Sequence, residues 1–356
     1  MLNKIVIKND IQIDQLFSFN DKAYRNNSSF FKLLKIRFKT FILFPLKIIF
    51  KKKIFFNDYS KIIVITSPFF LPALVCFKLK NKKIITLYND LYPRALALKR
   101  IIKSNGFIEN FFKKINLFTY KKSDLSIFIN DLHYKFAVVN YNFSNNFLII
   151  NVPSHLDYNP KKINLELIQN KFNIIYSGTL GLLHSPDTFL NFLKNNGKIP
   201  QNIKFNFLTS GAKKRYFESN VLKFGSKHIK NNNIKLGDLM NDIEWERLMF
   251  NSQIGIVFQS ENAEDVIFPS KVASMLISGQ AILAFTSKIS FLGKMVLKND
   301  LGWVIESDDF LALNHFFEEI KNTSILINKR KNALNFGIET FSLTKISEKW
   351  YNAIVK

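Results

Sequence analysis

Cysteine is nearly absent: Cys76 is the single one among 356 residues. That excludes a disulfide framework and a cysteine-built zinc site, and it fits a reducing compartment. The five histidines, His133, His155, His184, His228 and His315, are scattered without ligand spacing, so no metal site is expected. No Asp-X-Asp occurs, which disfavours a sugar-nucleotide enzyme that holds Mg²⁺ between carboxylates. A phosphate-loop lysine motif and a Gly-X-Ser-X-Gly elbow are also missing, which removes P-loop nucleotide hydrolysis and a serine hydrolase of that type. Long charge-free apolar runs are scarce. The longest candidate, 62–77, is split by Thr66-Ser67-Pro68 and Pro72, so it reads as a strand followed by a helix start and not as a membrane span. Met1 to Asp10 lacks the apolar core of a signal peptide. Together these absences place the expected protein in the cytoplasm.

Acidic residues are also few, 27 against 51 Lys and Arg, for a net charge of +24. The imbalance is uneven. Residues 1–160 hold 26 Lys and Arg against 9 Asp and Glu, whereas 161–356 hold 25 against 18. Codon bias toward Phe, Ile, Lys and Asn would not favour one half, so the first half is expected to face an anionic partner. Residues 30–56 interleave Phe, Leu and Ile with Lys32, Lys35, Arg37, Lys39, Lys47 and Lys51 to Lys53. That mixture describes either a segment lying in a membrane interface or a pair of core helices with solvated lysines. No stacking-aromatic module for nucleic acid is present, so nucleic acid is not an expected partner.

Apolar strands alternate with amphipathic segments. Strands are read at 4–8, 61–66, 83–87, 124–129 and 147–150, then at 172–176, 203–208, 233–236, 253–258, 281–285 and 302–305. Helices are read at 186–195, 239–251, 270–278, 307–321 and 343–355. Residues 153–170, with Pro153, Pro160 and the Lys161-Lys162 pair, read as a linker. Two such series predict an α/β protein of two Rossmann-like, doubly wound parallel-sheet domains facing a cleft, with ligands outside the carboxyl ends of strands. The expected divisions are 1–160, 161–342 and a final helix, 343–356, returning toward the first domain.

Four constellations fall at strand ends. Ser177-Gly178-Thr179-Leu180-Gly181 with His184 is a glycine turn leading into a helix, a shape that admits close approach of an anion. Ser210-Gly211-Ala212-Lys213-Lys214-Arg215 places three cations just past another strand. Pro269-Ser270-Lys271 opens a short helix carrying Ser274, behind Glu261, Glu264 and Asp265, and offers free N–H groups and a cation to a diphosphate. Tyr88-Asn89-Asp90-Leu91-Tyr92-Pro93-Arg94 follows a strand in the first half. Each has an ordinary structural counterpart, as a capped helix start or a solvated turn.

In their order, these segments resemble the retaining glycosyltransferases of family 4, which have the GT-B fold, and among them the enzymes of colanic acid, O-antigen and capsule biosynthesis. The matches are the Thr66-Ser67-Pro68 strand and turn, Asp90-Leu91-Tyr92-Pro93, Tyr176-Ser177-Gly178-Thr179-Leu180-Gly181 with His184, Pro269-Ser270-Lys271 through Gly279 with the strand after it, and Gly302-Trp303-Val304-Ile305. The resemblance implies transfer of a sugar, with retention, from a UDP- or GDP-linked donor to a lipid-linked saccharide at the inner membrane face, without cofactor or metal. It assigns Lys271, Lys214 and Asp90 to catalysis. It assigns Gly178, Thr179, Leu180, Gly181, His184, Gly211, Lys213, Glu264, Asp265, Pro269, Ser270 and Ser274 to the donor, and Tyr92 and Arg94 to the acceptor side. Three departures stand out. Lys4 to Asp14 lacks the family's Pro/Gly-rich first loop. The family's glutamate pair would fall at Val266 and Ser274. The positions of its arginine and lysine beyond the first glycine hold Thr179 and His184-Ser185. A membrane-associated GT-B binding protein without catalytic activity is the alternative reading these gaps allow.

Overall fold

The computed structural model describes residues 35, 38–89, 91–166, 171–263, 268–307, 309 and 311–355. The strand expected at 4–8 and the site candidates Asp90, Glu264 and Asp265 lie outside the described residues. Two compact units are present, Met1–Asn151 with Ser347–Lys356, and Val152–Ile346. Residues 152–160, part of the linker in the sequence, go with the second unit.

The first unit holds a parallel sheet in the order β1-β2-β3-β4: β1 Lys61–Ile65, β2 Lys83–Tyr88, β3 Leu125–Phe128 and β4 Phe147–Ile149. Register places Ile63 opposite Ile85, Leu87 opposite Ile127 and Ile127 opposite Leu148. The 62–77 run divides as its prolines require. β1 ends before Thr66, and Pro72 sits in the first turn of the helix Leu71–Lys78, where a missing N–H costs nothing. The next β3 crossover opens cleanly because the Asn130 side chain accepts from His133 N at 2.8 Å, capping the helix Asp131–Tyr141. Ile48, Val64, Leu71, Val75 and Ile84 form one core, and Tyr88, Tyr120, Phe128, Tyr141 and Phe143 another.

The second unit is a six-stranded parallel sheet in the order β10-β9-β8-β5-β6-β7. Its strands are β5 Phe172–Thr179, β6 Ile203–Ser210, β7 Ile234–Gly237, β8 Ile254–Phe258, β9 Ala281–Phe285 and β10 Gly302–Ile305. β8 and β9 are buried along their whole length, as the unbroken apolar runs of a sheet covered on both faces require. The chain winds outward from β5 through β6 to β7, then returns to β5's other side with β8 and winds out through β9 to β10. The switch point therefore lies between β5 and β8, where open parallel sheets take their ligands.

Among the described residues, four helices of this unit go beyond those read from the sequence: Lys214–Phe224, Ser226–Lys230, Phe291–Lys298 and Thr323–Phe341. The last has a buried stripe of Leu326, Arg330, Ala333, Leu334, Gly337 and Phe341. Its spacing is helical, but an arginine and a glycine occupy core positions and interrupt the apolar pattern on which a sequence reading depends. Both serve the neighbouring helix Lys271–Ile277. A β-carbon at Gly337 would meet the Leu276 backbone at 2.8 Å, so the two helices approach backbone to backbone. Arg330 donates to the carbonyls of Gly279, Leu165 and Asn164 at 2.9, 3.0 and 2.8 Å. Gly279 itself takes the left-handed φ of +72° that ends the Lys271–Ile277 helix.

Candidate functional site

The carboxyl end of β5 carries the turn, and three segments converge on it. Tyr176 points its ring at Lys271, whose Nζ lies 3.8 Å from the ring centroid. Two residues on, Gly178 has φ +138°, and a β-carbon there would sit 3.3 Å from the same Nζ. The Tyr176 hydroxyl donates to Thr179 O at 3.0 Å, so one side chain supports both the ammonium and the turn. Leu180 is clasped by the β6 loop: its N–H donates to Ser210 O at 2.7 Å and its carbonyl accepts from Lys213 N at 3.0 Å. The Thr179 and Ser210 hydroxyls meet at 3.2 Å. Gly211, with φ +95°, packs against Thr179 and Leu180 where a β-carbon would collide. Gly181 N–H donates to His184 Nδ1 at 3.0 Å, and Lys213 Nζ donates to His184 O at 2.7 Å.

Lys271 is the unusual member. Its residue is half-buried, but its Nζ is enclosed and has no hydrogen-bond partner among the described residues. No carboxylate among the described residues answers its charge, and burial pulls the ammonium down from 10.5 to about 7. An enclosed cation with three donors that no described residue uses, at the switch point of a parallel sheet, has the chemistry to receive an anion. The Tyr176 ring face supplies the only described attraction to the ammonium, worth about 2 kcal/mol when desolvated.

The structure thus brings together Gly178, Thr179, Leu180, Gly181, His184, Gly211, Lys213 and Lys271. Other candidates are placed differently. Ser274 is on the Lys271 helix but 2 % exposed, and its hydroxyl accepts from Ser154 Oγ at 3.3 Å and His155 N at 3.2 Å, holding the chain that enters the unit. Pro269 is buried and Ser270 exposed, without a capping side-chain bond to the seven-residue helix. Lys214 pairs with Asp238 and, at 3.7 Å, with Glu218, and the Asp238 hydrogen bond raises its pKa. In the first unit, Tyr92 packs against Phe69 with ring centroids 5.4 Å apart, and Arg94 opens the short helix Arg94–Leu98. Among the described residues no group of His, Cys, Asp and Glu could hold a metal ion.

Tyr176 and Arg330 escaped the sequence reading as site residues. Tyr176 stands at a buried strand position, where an aromatic reads as core. Its signal was its place two residues before Gly178. Gly178→Ala tests the turn. The forced φ and the contact with Lys271 are expected to cost about 1–3 kcal/mol in stability. Nucleotide affinity should fall roughly tenfold, about 1.4 kcal/mol, in calorimetric titration; unchanged affinity would remove the turn from the site.

The two parallel sheets, with their strand orders and covering helices, are those of the GT-B fold. Similar solved structures include sucrose-phosphate synthase from Thermosynechococcus elongatus, with a TM-score of 0.65 and 14 % identity over 89 % of this chain and 78 % of that one. Anabaena HepE, solved with UDP, has a TM-score of 0.65 and 11 % identity over 89 % and 83 %. A glycosyltransferase from Rickettsia africae has a TM-score of 0.61 and 18 % identity over 100 % and 88 %. At these identities the likeness carries the fold. No protein-family model matches the chain, and no curated protein does.

Proposed function

We propose that this chain is a retaining glycosyltransferase that draws a sugar from a UDP- or GDP-linked donor. The observation that carries the reading is the enclosed, unpaired Lys271 ammonium beside the Gly178–Gly181 turn. The GT-B fold supports it, as does the UDP in the HepE structure. As the glycosidic bond breaks, negative charge gathers on the departing diphosphate. A cation and N–H dipoles already aimed at that position stabilise the transition state more than the ground state. Lys213 adds charge close by, and Glu264 and Asp265 serve the sugar and ribose; Ser274, buried against Ser154 and His155, holds the chain behind the site instead of touching the donor. Lys214 is the weaker catalytic candidate, since Asp238 and Glu218 hold it. With retention, the leaving phosphate itself takes the acceptor's proton, so the reaction needs neither a dedicated base nor a metal. Asp90, Tyr92 and Arg94 serve the acceptor, a saccharide carried on a lipid, at the inner face of the cytoplasmic membrane in cell-surface polysaccharide synthesis. The basic first half meets the anionic headgroups.

A screen of UDP- and GDP-sugars by thermal melting tests the donor. At a hundredfold excess over the dissociation constant, stabilisation of roughly 2.7 kcal/mol, or about 5–10 °C, is expected for one nucleotide. The residues Val266 and Ser274, where the resembling family has glutamates, favour a second reading as a GT-B binding protein without catalysis. Stabilisation without sugar release or transfer would select it; no stabilisation by any nucleotide sugar would overturn both.

A further inference from the structure

The first unit carries bulky apolar side chains in water on helices that share one layer. The helix Leu71–Lys78 packs against both Phe44–Phe50 and Phe107–Lys122. Phe50 is 79 % exposed, Ile54 just after it 71 %, Phe77 66 % and Phe107 86 %, with Ile108 and Phe111 also exposed. Scattered apolar residues on a surface are ordinary; exposed phenylalanines on all three helices of one layer are not.

The charge around them has one sign. Residues 38–122 hold 18 Lys and Arg against 3 Asp and Glu. Within 99–114, Arg100, Lys103 and Lys114 are exposed, and the single acid there, Glu109, is turned inward. It is 1 % exposed and accepts from Asn105 N at 2.6 Å, which fixes the loop that leads into Phe107. The partner of this face is therefore apolar and anionic at once. No described helix is long and apolar enough to cross a membrane. Exposed aromatic tips neighboured in the chain by exposed Lys51, Lys52, Lys80, Arg100 and Lys103 suit a bilayer surface, where tips would reach the acyl boundary and ammonium groups the headgroups.

We propose that this helix layer docks on an anionic lipid bilayer through two contacts. One is the Phe50–Ile54 end; the other is the first turn of the Phe107–Lys122 helix, a segment the sequence pattern does not single out. The proposal rests on the reading that the acceptor is carried in a membrane. It names the surface that would bring the first unit to such an acceptor.

The test is co-sedimentation of the full chain with phosphatidylcholine vesicles, with and without about a quarter phosphatidylglycerol. Wild type should bind the anionic vesicles, and binding should weaken as salt rises. Phe107→Ser/Phe111→Ser should lower binding roughly tenfold or more while leaving the melting temperature and nucleotide stabilisation unchanged. A separate Phe50→Ser variant should lower it likewise. Equal binding by wild type and Phe107→Ser/Phe111→Ser overturns the proposal. So does concentration-dependent dimerisation abolished by the same pair, which makes a second copy the occupant, or retention on RNA that the pair abolishes while vesicle binding stays intact. Vesicle binding needs no nucleotide and nucleotide binding needs no vesicle, so the failure of this proposal and of the donor reading are separate results.

Discussion

Lys271→Met is expected to make the protein more stable and to end its activity together. Burial brings the ammonium to about 7 from 10.5 in the folded chain. Between those values the unfolded chain binds the extra proton, so wild-type stability should rise with pH through that window, and the full penalty should be present near pH 7 and below. At about 1.36 kcal/mol per unit the penalty is on the order of 5 kcal/mol, and the Tyr176 ring offsets about 2 of it. Methionine matches the lysine stem in length and sets a polarizable sulfur against the same ring. The variant should therefore melt roughly 5 °C higher near neutral pH, with the gain shrinking toward about pH 10. Its transfer rate should fall about 100-fold or more, the cost of removing a preorganised charge from the leaving group. Both effects would come from one cation unpaired among the described residues, whose cost in stability a ligand contact would explain. Thermal melts across pH with a transfer assay measure the pair of outcomes; a destabilised variant with near-normal turnover would make Lys271 a structural residue.

Arg330 should behave in the opposite way. Its guanidinium is also buried, and burial pulls it down to about 10, but each of its three nitrogens donates a hydrogen bond. Three carbonyls accept from it, two of them in the chain at 164–165 and one at Gly279, directly behind the Lys271 helix. Charge-assisted bonds to carbonyls contribute about 1.5–3 kcal/mol each and truncation would leave a cavity, while removing the charge relieves the cost of its burial and offsets part of that loss. Arg330→Ala is therefore expected to cost about 3–5 kcal/mol and to lower the melting temperature by roughly 10 °C. Arg330→Lys should recover only part of that loss, since one ammonium cannot match the planar fork across three acceptors. Denaturant unfolding of the two variants checks the order, and equal stability of both with wild type would contradict it.

The fold was largely legible because its strands are apolar runs bounded by turns, β-branched in Lys61–Ile65 and Ile254–Phe258 and wholly apolar in Ala281–Phe285. Periodicity failed where function or packing placed the wrong residue type in a stripe. Arg330 and Gly337 hid a nineteen-residue helix from the pattern. The candidate site was half legible. Glycines at strand ends and a lysine after Pro269-Ser270 can be read from a chain, since their chemistry is local. That Tyr176 lies under Lys271, that Lys214 is held by Asp238 and that Ser274 ties down residues 154–155 are long-range facts that only folding creates. The exposed Phe107 and Phe111 were invisible for the same reason. Their spacing suits a buried helix face, and only the structure turns them outward.

The most direct measurement is a calorimetric titration of UDP and GDP into wild type and Lys271→Met, in two buffers of different ionisation enthalpy at about pH 8. Free Lys271, at about 7, is mostly neutral there, and a bound diphosphate raises its pKa, so the ammonium must reform on binding. The nucleotide's contribution from this contact is complete below the free value and lost as pH rises through the bound one. Wild type should therefore take up close to one proton per nucleotide, and Lys271→Met should bind at least about tenfold more weakly with none. Tight binding by both proteins with equal proton uptake would contradict the placement of the diphosphate at Lys271.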